Sequence, residues 1–140
     1  MRRNGGGRAF ALTLPVAVSA IEDARLALLA YLQPFGLDER VLNRVEVVLE
    51  EIVSNIVRHA QGARSISIDA ECADGAIRLR VQDDGAPFNP LEVSEPAPFT
   101  SLEDVELGGQ GIPLIKRLSK SVGYDRIGPA NRISVAIGGA

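Results

Sequence analysis

Residues 44–60 read RVEVVLEEIVSNIVRHA, and this stretch decides how the rest of the chain is organised. An α-helix advances by about 100° per residue. On that spacing the apolar side chains of the stretch fall within one arc of roughly 140°; they are Val45, Val48, Leu49, Ile52, Val53 and Ile56. The pattern predicts an amphipathic helix whose apolar face packs against a core.

Polar side chains lie along the border of this face. Glu51, Asn55 and His59 are spaced i, i+4 and i+8, so they form a stripe between core and solvent. The neighbouring Glu46 and Glu50 point elsewhere around the helix. Because burial of an unpaired carboxylate or amide is costly, the stripe predicts a bound ligand, an ion or a polar partner.

The composition favours a single domain in a reducing compartment. A chain of 140 residues that is 46% hydrophobic can form one core but is short for two domains. The net charge of -3 and the scarcity of aromatic residues argue against nucleic acid as a ligand. One cysteine and one histidine exclude an internal disulfide and a cluster of zinc ligands. No apolar run approaches the ~18 residues of a membrane span and no signal peptide is evident, so we expect a cytoplasmic protein.

The first part of the chain predicts a tail, a strand and two helices. Residues 1–7, MRRNGGG, are expected to be a disordered tail, followed by a single domain over residues 8–140. Alternating apolar residues predict a strand over residues 8–14. A Ser19-x-x-Glu22 capping box predicts the start of the first helix. That helix carries the apolar residues Ile21, Leu26, Leu28, Leu29 and Leu32. Asp38 is the expected N-cap of the second helix, which runs to about Ala60.

A β-hairpin follows the second helix. Two runs of alternating apolar residues, Ile66 to Cys72 and Ile77 to Val81, flank an Asp74-Gly75 pair that suits a two-residue type I′ turn. Side chains alternate in direction along a strand, so the inward positions 77, 79 and 81 continue to Asp83. The alternation therefore predicts that Asp83 faces the core and that Asp84 faces the other way.

The last third of the chain predicts a long loop, a helix and two strands. Residues 86–108 lack periodicity and contain four prolines, as functional loops of this length often do. A glycine cluster at residues 108–111 leads into a short helix with apolar residues at helical spacing, which are Ile112, Ile115, Leu118 and Val122. A strand near residues 122–127 and a turn over Gly128 and Pro129 precede a last strand. Its inward residues are expected to be Ile133, Val135 and Ile137.

In their order and spacing these motifs resemble the nucleotide site of the GHKL ATPases, the histidine kinase-like superfamily that includes gyrase. Five segments are similar to the anti-sigma factor serine kinases within it: LPVAVSAIEDAR (14–25), EEIVSNIVRHA (50–60), DDGAPFNP (83–90), GGQGIPLI (108–115) and NRISVAI (131–137). The resemblance covers residues 9–137. It implies a two-layer α/β sandwich of the Bergerat type, with a mixed, mostly antiparallel sheet, three helices on one face and a lid loop over residues 88–108.

The resemblance also implies roles for the polar residues of the second helix. Asn55 would hold Mg²⁺ beside the phosphates of ATP through its side-chain oxygen, a hard ligand of the kind that this ion prefers. Glu51 would act as the general base toward a substrate serine hydroxyl. For His59, a histidine at the core edge bonded to backbone is favoured over a phosphate contact.

The remaining implied contacts to ATP lie further along the chain. Asp83 would accept a hydrogen bond from the exocyclic amine of adenine, and Gly85 would let the backbone pass close to the base. Gly109 and Gly111 would let backbone amides approach phosphate oxygens at a helix N-terminus. This glycine cluster is neither a Walker A motif, since it lacks Gly-Lys-Ser/Thr, nor G-x-G-x-x-G, since Leu114 occupies the last position.

As a function, the resemblance implies an ATP-dependent protein-serine kinase. Its substrate would be a STAS-domain anti-anti-sigma protein, and its other partner a sigma factor held by a homodimer of the kinase. Arg25 is interpreted as a solvated surface residue rather than a contact to the sigma factor, and Cys72 as a small core residue. Two alternatives remain open: a non-catalytic, ATP-gated module that binds a phosphatase or a stressosome-like partner, and a domain that acts on histidine or only hydrolyses ATP.

Overall fold

The amphipathic stretch lies in a long helix, α2, Glu39–His59, in the computed structural model. The structure describes residues 9–92 and 111–138; the tail predicted over residues 1–7 lies outside them. Asp38 caps the helix, since its side chain accepts a hydrogen bond from the backbone N–H of Arg40 at 2.8 Å. All six residues predicted to form its apolar face are buried. The amphipathic helix and its N-cap are therefore confirmed.

One antiparallel sheet carries the helices. The elements, in chain order, are β1 (Phe10–Pro15), α1 (Ser19–Leu32), α2, β2 (Ser65–Ala73), β3 (Ala76–Asp83), α3 (Gly111–Leu118), β4 (Ser121–Ile127) and β5 (Ala130–Gly138). Short 3₁₀ turns lie at Gln33–Phe35 and Pro90–Glu92. The strand order is β1-β2-β3-β5-β4, and every described pairing is antiparallel. The two-layer α/β sandwich is confirmed, including its mostly antiparallel sheet.

The core lies between one face of the sheet and the three helices. Alternate residues of β2, β3 and β5 are buried there, including Cys72, whose thiol has a raised pKa because burial disfavours its charged form. The opposite face of the sheet carries charged pairs, for example Asp69 and Arg80, whose side chains lie 2.7 Å apart and are both partly exposed. Within the described residues no helix is long and apolar enough to cross a membrane.

The hairpin between β2 and β3 forms as predicted. Asp74 and Gly75 both have positive φ, 53° and 76°, as a type I′ turn requires. The register places Ile66 opposite Asp83. Because residues that are directly opposite share a face, Asp83 lies on the core side of the sheet with Ile66. This register carries a carboxylate into the interior.

Several local predictions were wrong. Val18 already has helical backbone angles, so Ser19 lies inside α1 and its side chain makes no cap. Glu22 binds Arg25 instead, at 2.7 and 2.9 Å, and this pairing raises the pKa of the guanidinium. Val122 belongs to β4, since α3 ends at Leu118.

The cap of α2 yields a test of the fold. Asp38→Ala removes the acceptor of the Arg40 N–H and is expected to lower the free energy of unfolding by about 1 kcal/mol, measured by urea denaturation. Asp38→Asn keeps a side-chain oxygen and should lose much less. An equal loss in both variants would show that the charge of Asp38, rather than the cap, stabilises the helix.

Candidate functional site

A cleft opens between the C-terminal half of α2, the ends of β3 and β5, and the segment after β3. Its volume is about 530 Å³, including the part of the mouth that is open to solvent. Apolar side chains form most of the wall, among them Ile52, Val81 and Ile133. The polar groups on the wall are Asn55, Asp83, Tyr124 and Asn131. The fold thus brings together Asn55 and Asp83, which lie on different elements and were predicted to share a site.

Asp83 ends β3 and reaches the cleft as a nearly buried carboxylate. Its side chain is 8% exposed, which confirms the predicted inward direction, whereas Asp84 is exposed. Asp83 Oδ1 accepts hydrogen bonds from the backbone N–H of Gly85 at 2.8 Å and from Nδ2 of Asn131 at 3.1 Å. Among the described residues both bonds end on Oδ1. No hydrogen bond to Oδ2 is found within the described part of the chain.

Asn131, on β5 directly opposite Asp83, was missed in the sequence. Its side chain is 5% exposed and also bonds the carbonyl of Ala86 (2.9 Å), the N–H of Phe88 (3.0 Å) and the hydroxyl of Tyr124 (2.6 Å). The signal was available, because position 131 continues the inward series 133, 135 and 137. An amide at an inward position next to an inward carboxylate predicts a buried polar pair.

Gly85 is buried, and its protein neighbours give a reason for glycine beside the predicted approach to the base, which stays a prediction. A Cβ at this position would lie 2.9 Å from the carbonyl oxygen of Gln61 and 3.0 Å from Asp83 Oδ1. The backbone N–H of Ala86 donates to the same Gln61 carbonyl at 2.9 Å. Close packing of the chain on itself therefore already requires glycine at this position.

The three residues of the polar stripe on α2 have different surroundings in the structure. Asn55 lines the cleft, and Glu51 is half-buried one turn before it on the same side of the helix. Glu50 is exposed, which agrees with the predicted choice between the two glutamates. His59 is the last residue of α2 and is exposed, so its placement at the core edge was wrong.

The phosphate end of the predicted site is only partly described. Gly111 is the first residue of α3, so the predicted glycine-to-helix junction is present at that position. Gly109 and residues 93–108 of the predicted lid lie outside the described residues. The described start of that segment, at Phe88, is held to the sheet by Asn131.

Because Gly85 packs closely against Gln61, one added methyl group at position 85 is expected to destabilise the fold. Gly85→Ala places its Cβ against a backbone carbonyl and should destabilise the fold by roughly 1–3 kcal/mol, measured by chemical denaturation. Gly123→Ala is the control, because a Cβ there meets nothing within 4 Å. Equal stability of the two variants would contradict this account of Gly85.

Asp84 predicts a pH effect on stability. Its Oδ1 accepts hydrogen bonds from the backbone N–H groups of Ser65 at 3.0 Å and Arg64 at 2.7 Å, and these bonds hold the pKa of the carboxyl below its usual value. A lowered folded-state pKa stabilises the protein above the unfolded pKa, and this stabilisation is lost as the pH falls through the folded pKa. Wild type should therefore exceed Asp84→Asn in urea midpoint at pH 6, and the difference should shrink toward pH 3. A difference that is constant with pH would contradict the assignment.

Comparison with known proteins agrees with this geometry. Residues 14–137 match the histidine kinase-like ATPase domain family. The chain is 27% identical over 122 residues to serine/threonine-protein kinase BtrW of Bordetella bronchiseptica, covering 82% of this chain and 83% of that protein. The crystal structure of the RsbU and RsbW domains of Rv1364c from Mycobacterium tuberculosis shares the fold, with a TM-score of 0.66 and 17% identity. That match covers 94% of this chain and 32% of the other.

The family match spans nearly the whole chain, and the antiparallel sheet with its helices agrees with it. The protein belongs to the histidine kinase-like ATPase domain family.

Proposed function

We propose that this protein is an ATP-dependent protein-serine kinase and anti-sigma factor, which phosphorylates a STAS-domain anti-anti-sigma protein and sequesters a sigma factor. The observation that carries the proposal is the cleft in which Asp83 and Asn55 face the same space, in a chain of this ATPase family. Its similarity to a protein named as a serine/threonine kinase supports the reaction class.

The Asp83 end of the cleft suits adenine. Asp83 Oδ2 accepts a hydrogen bond from the exocyclic amine, while the apolar walls formed by Ile52, Val81 and Ile133 contact the faces of the ring. The polar group fixes the orientation of the base, and the apolar walls remove its surface from water. Gly85 contributes indirectly, since it lets the segment after β3 pack closely on Gln61.

The Asn55 end suits the phosphates and Mg²⁺. The Asn55 side-chain oxygen is a hard ligand on the cleft wall, and backbone amides at Gly109 and Gly111 would bind phosphate oxygens. When bound, the ion offsets negative charge on the transferring phosphoryl group. Glu51 lies one turn from Asn55 and accepts the proton of the substrate serine hydroxyl. The serine oxygen then bonds to the γ-phosphorus of ATP, and ADP leaves.

Transfer to the partner changes its charge. A phosphoserine carries about -1.5 to -2 charges at neutral pH, which can separate the antagonist from the kinase and leave the kinase free to hold the sigma factor. We propose that the kinase does this as a homodimer in the cytoplasm. The assignment fits the acidic net charge of -3, which offers no field for binding DNA directly.

Glu51 gives the decisive test. The full-length protein is incubated with labelled ATP, Mg²⁺ and the STAS protein encoded nearest to it, and phosphoserine on that partner is measured. Glu51→Gln should slow transfer by at least about 100-fold, the usual contribution of a general base. The matched control is Glu50→Gln. It removes the same charge from the neighbouring residue, which is exposed and points in a different direction around the helix, and should leave the rate unchanged.

Two results would contradict the kinase assignment. One is ATP binding without phosphotransfer while the STAS partner is bound, which favours the ATP-gated binding module instead. The other is phosphate release without labelled partner, which points to simple ATP hydrolysis. Equal transfer by wild type and Glu51→Gln would leave the kinase assignment in place and remove Glu51 as the base.

A further inference from the structure

We propose that Asn131 is the positioning residue that sets the purine selectivity of the cleft, by fixing Asp83 so that its free oxygen only accepts hydrogen bonds. Tyr124 holds Asn131 in turn. The inference rests on the proposed function in one respect, that the cleft takes a purine nucleotide. It adds a residue that does not itself contact the base and that was not among the predicted site residues.

The surroundings of Asn131 allow one orientation of its amide. The Nδ2 group faces two acceptors, Asp83 Oδ1 at 3.1 Å and the carbonyl of Ala86 at 2.9 Å. The Oδ1 atom faces two donors, the N–H of Phe88 at 3.0 Å and the hydroxyl of Tyr124 at 2.6 Å. A flipped amide would place its oxygen against the two acceptors and its N–H group against the N–H of Phe88. All four hydrogen-bonding positions of the amide are therefore used, which locks the side chain.

The locked amide determines what Asp83 offers to a ligand. Asp83 Oδ1 is filled by two N–H donors, Gly85 N and Asn131 Nδ2. Such bonds are strongest to an ionised carboxylate and fix its plane. The carboxylate cannot rotate without breaking both bonds. Oδ2 is thus held in one place as a charged acceptor.

A charged acceptor distinguishes purines by the group at C6. Adenine carries an amine there and donates, whereas hypoxanthine carries a carbonyl and would place an acceptor against Oδ2. A buried polar group left unpaired or opposed by a ligand lowers affinity steeply. Asp83 therefore selects the purine by the group at C6, and Asn131 holds Asp83 in the position that this selection requires.

The β4–β5 hairpin anchors the whole segment after β3. Asn131 binds it at Asp83, Ala86 and Phe88, and Nη1 of Arg126 on β4 donates to the carbonyl of Gly85 at 2.8 Å. One side of the segment that begins at Asp83 is consequently held by β4 and β5. Helix α2, which carries Glu51 and Asn55, is not involved in these bonds.

The test compares binding of ATP and ITP, which differ at C6 and N1 of the base, by calorimetry with Mg²⁺ and the full chain. Wild type should prefer ATP by more than about 100-fold, as a site built around one hydrogen bond does. Asn131→Asp replaces the amide N–H that faces Asp83 by an oxygen, so that the two facing carboxyl groups share a proton. Asp83 can then donate a hydrogen bond to the carbonyl at C6 of the ITP base. The preference for ATP should fall at least tenfold.

Asn89→Asp is the matched control. Asn89 accepts the N–H of Leu91 at 2.9 Å, which a carboxylate also does, and it makes no contact with Asp83 in the described structure. The added charge lies on the same segment, so it weakens ATP and ITP by the same factor and leaves their ratio unchanged. A merely structural role for Asn131 would likewise lower both affinities together, and an unchanged ratio in Asn131→Asp would overturn the proposal.

Tyr124→Phe provides a second, milder variant. It removes the 2.6 Å bond to Asn131 but keeps the ring on the cleft wall, and should reduce the ATP preference about two- to tenfold. If Asn131→Asp does not fold, the ratio of ATP to ITP affinity in Tyr124→Phe is the test. A decrease in this ratio relative to wild type supports the proposal, and an unchanged ratio overturns it. A wild-type preference below tenfold also overturns it. Selective ATP binding without phosphoserine formation contradicts the kinase assignment alone, because the binding assay does not depend on transfer.

Discussion

A carboxylate buried at the end of an apolar strand is the constraint on which this structure depends. Asp83 follows Ile77, Leu79 and Val81 on the inner face of β3, and a buried charge is tolerated only when donors surround it. Gly85 N and Asn131 Nδ2 supply two donors. Because β3 and β5 are paired directly, the sheet itself places the donor beside the carboxylate.

The segment after β3, which supplies one of the donors to Asp83, is held in place on two sides. On one side Asp84 and Ala86 bond the residues that link α2 to β2, and Gly85 leaves no room for a side chain against Gln61. On the other side Asn131 and Arg126 hold it to the last hairpin. The position of Asp83 therefore results from packing of distant parts of the chain, which explains why one cleft can combine an apolar wall with a rigid polar group.

Prediction succeeded where periodicity and chemistry gave the same answer. The apolar arc of α2, the Asp74-Gly75 turn and the inward direction of Asp83 depend on repeats of about 3.6 and two residues, which are local properties of helix and strand. It failed at Ser19, where the start of a helix was judged by residue types, and at His59, where helical spacing was followed to the last residue of the helix. A cap must itself have non-helical backbone angles, and spacing alone does not determine exposure at the end of a helix.

By itself the sequence determined the core faces and the inward direction of Asp83, because alternation and helical spacing fix side-chain direction before any tertiary contact forms. The two-layer architecture and a shared site for Asn55 and Asp83 were implied by the resemblance of its motifs to the GHKL ATPases. Only the tertiary structure decided why Gly85 must be glycine and which residue holds Asp83. The contact from Gly85 to Gln61 spans 24 positions along the chain, and the one from Asp83 to Asn131 spans 48. Strand order and register, rather than local pattern, bring such residues together.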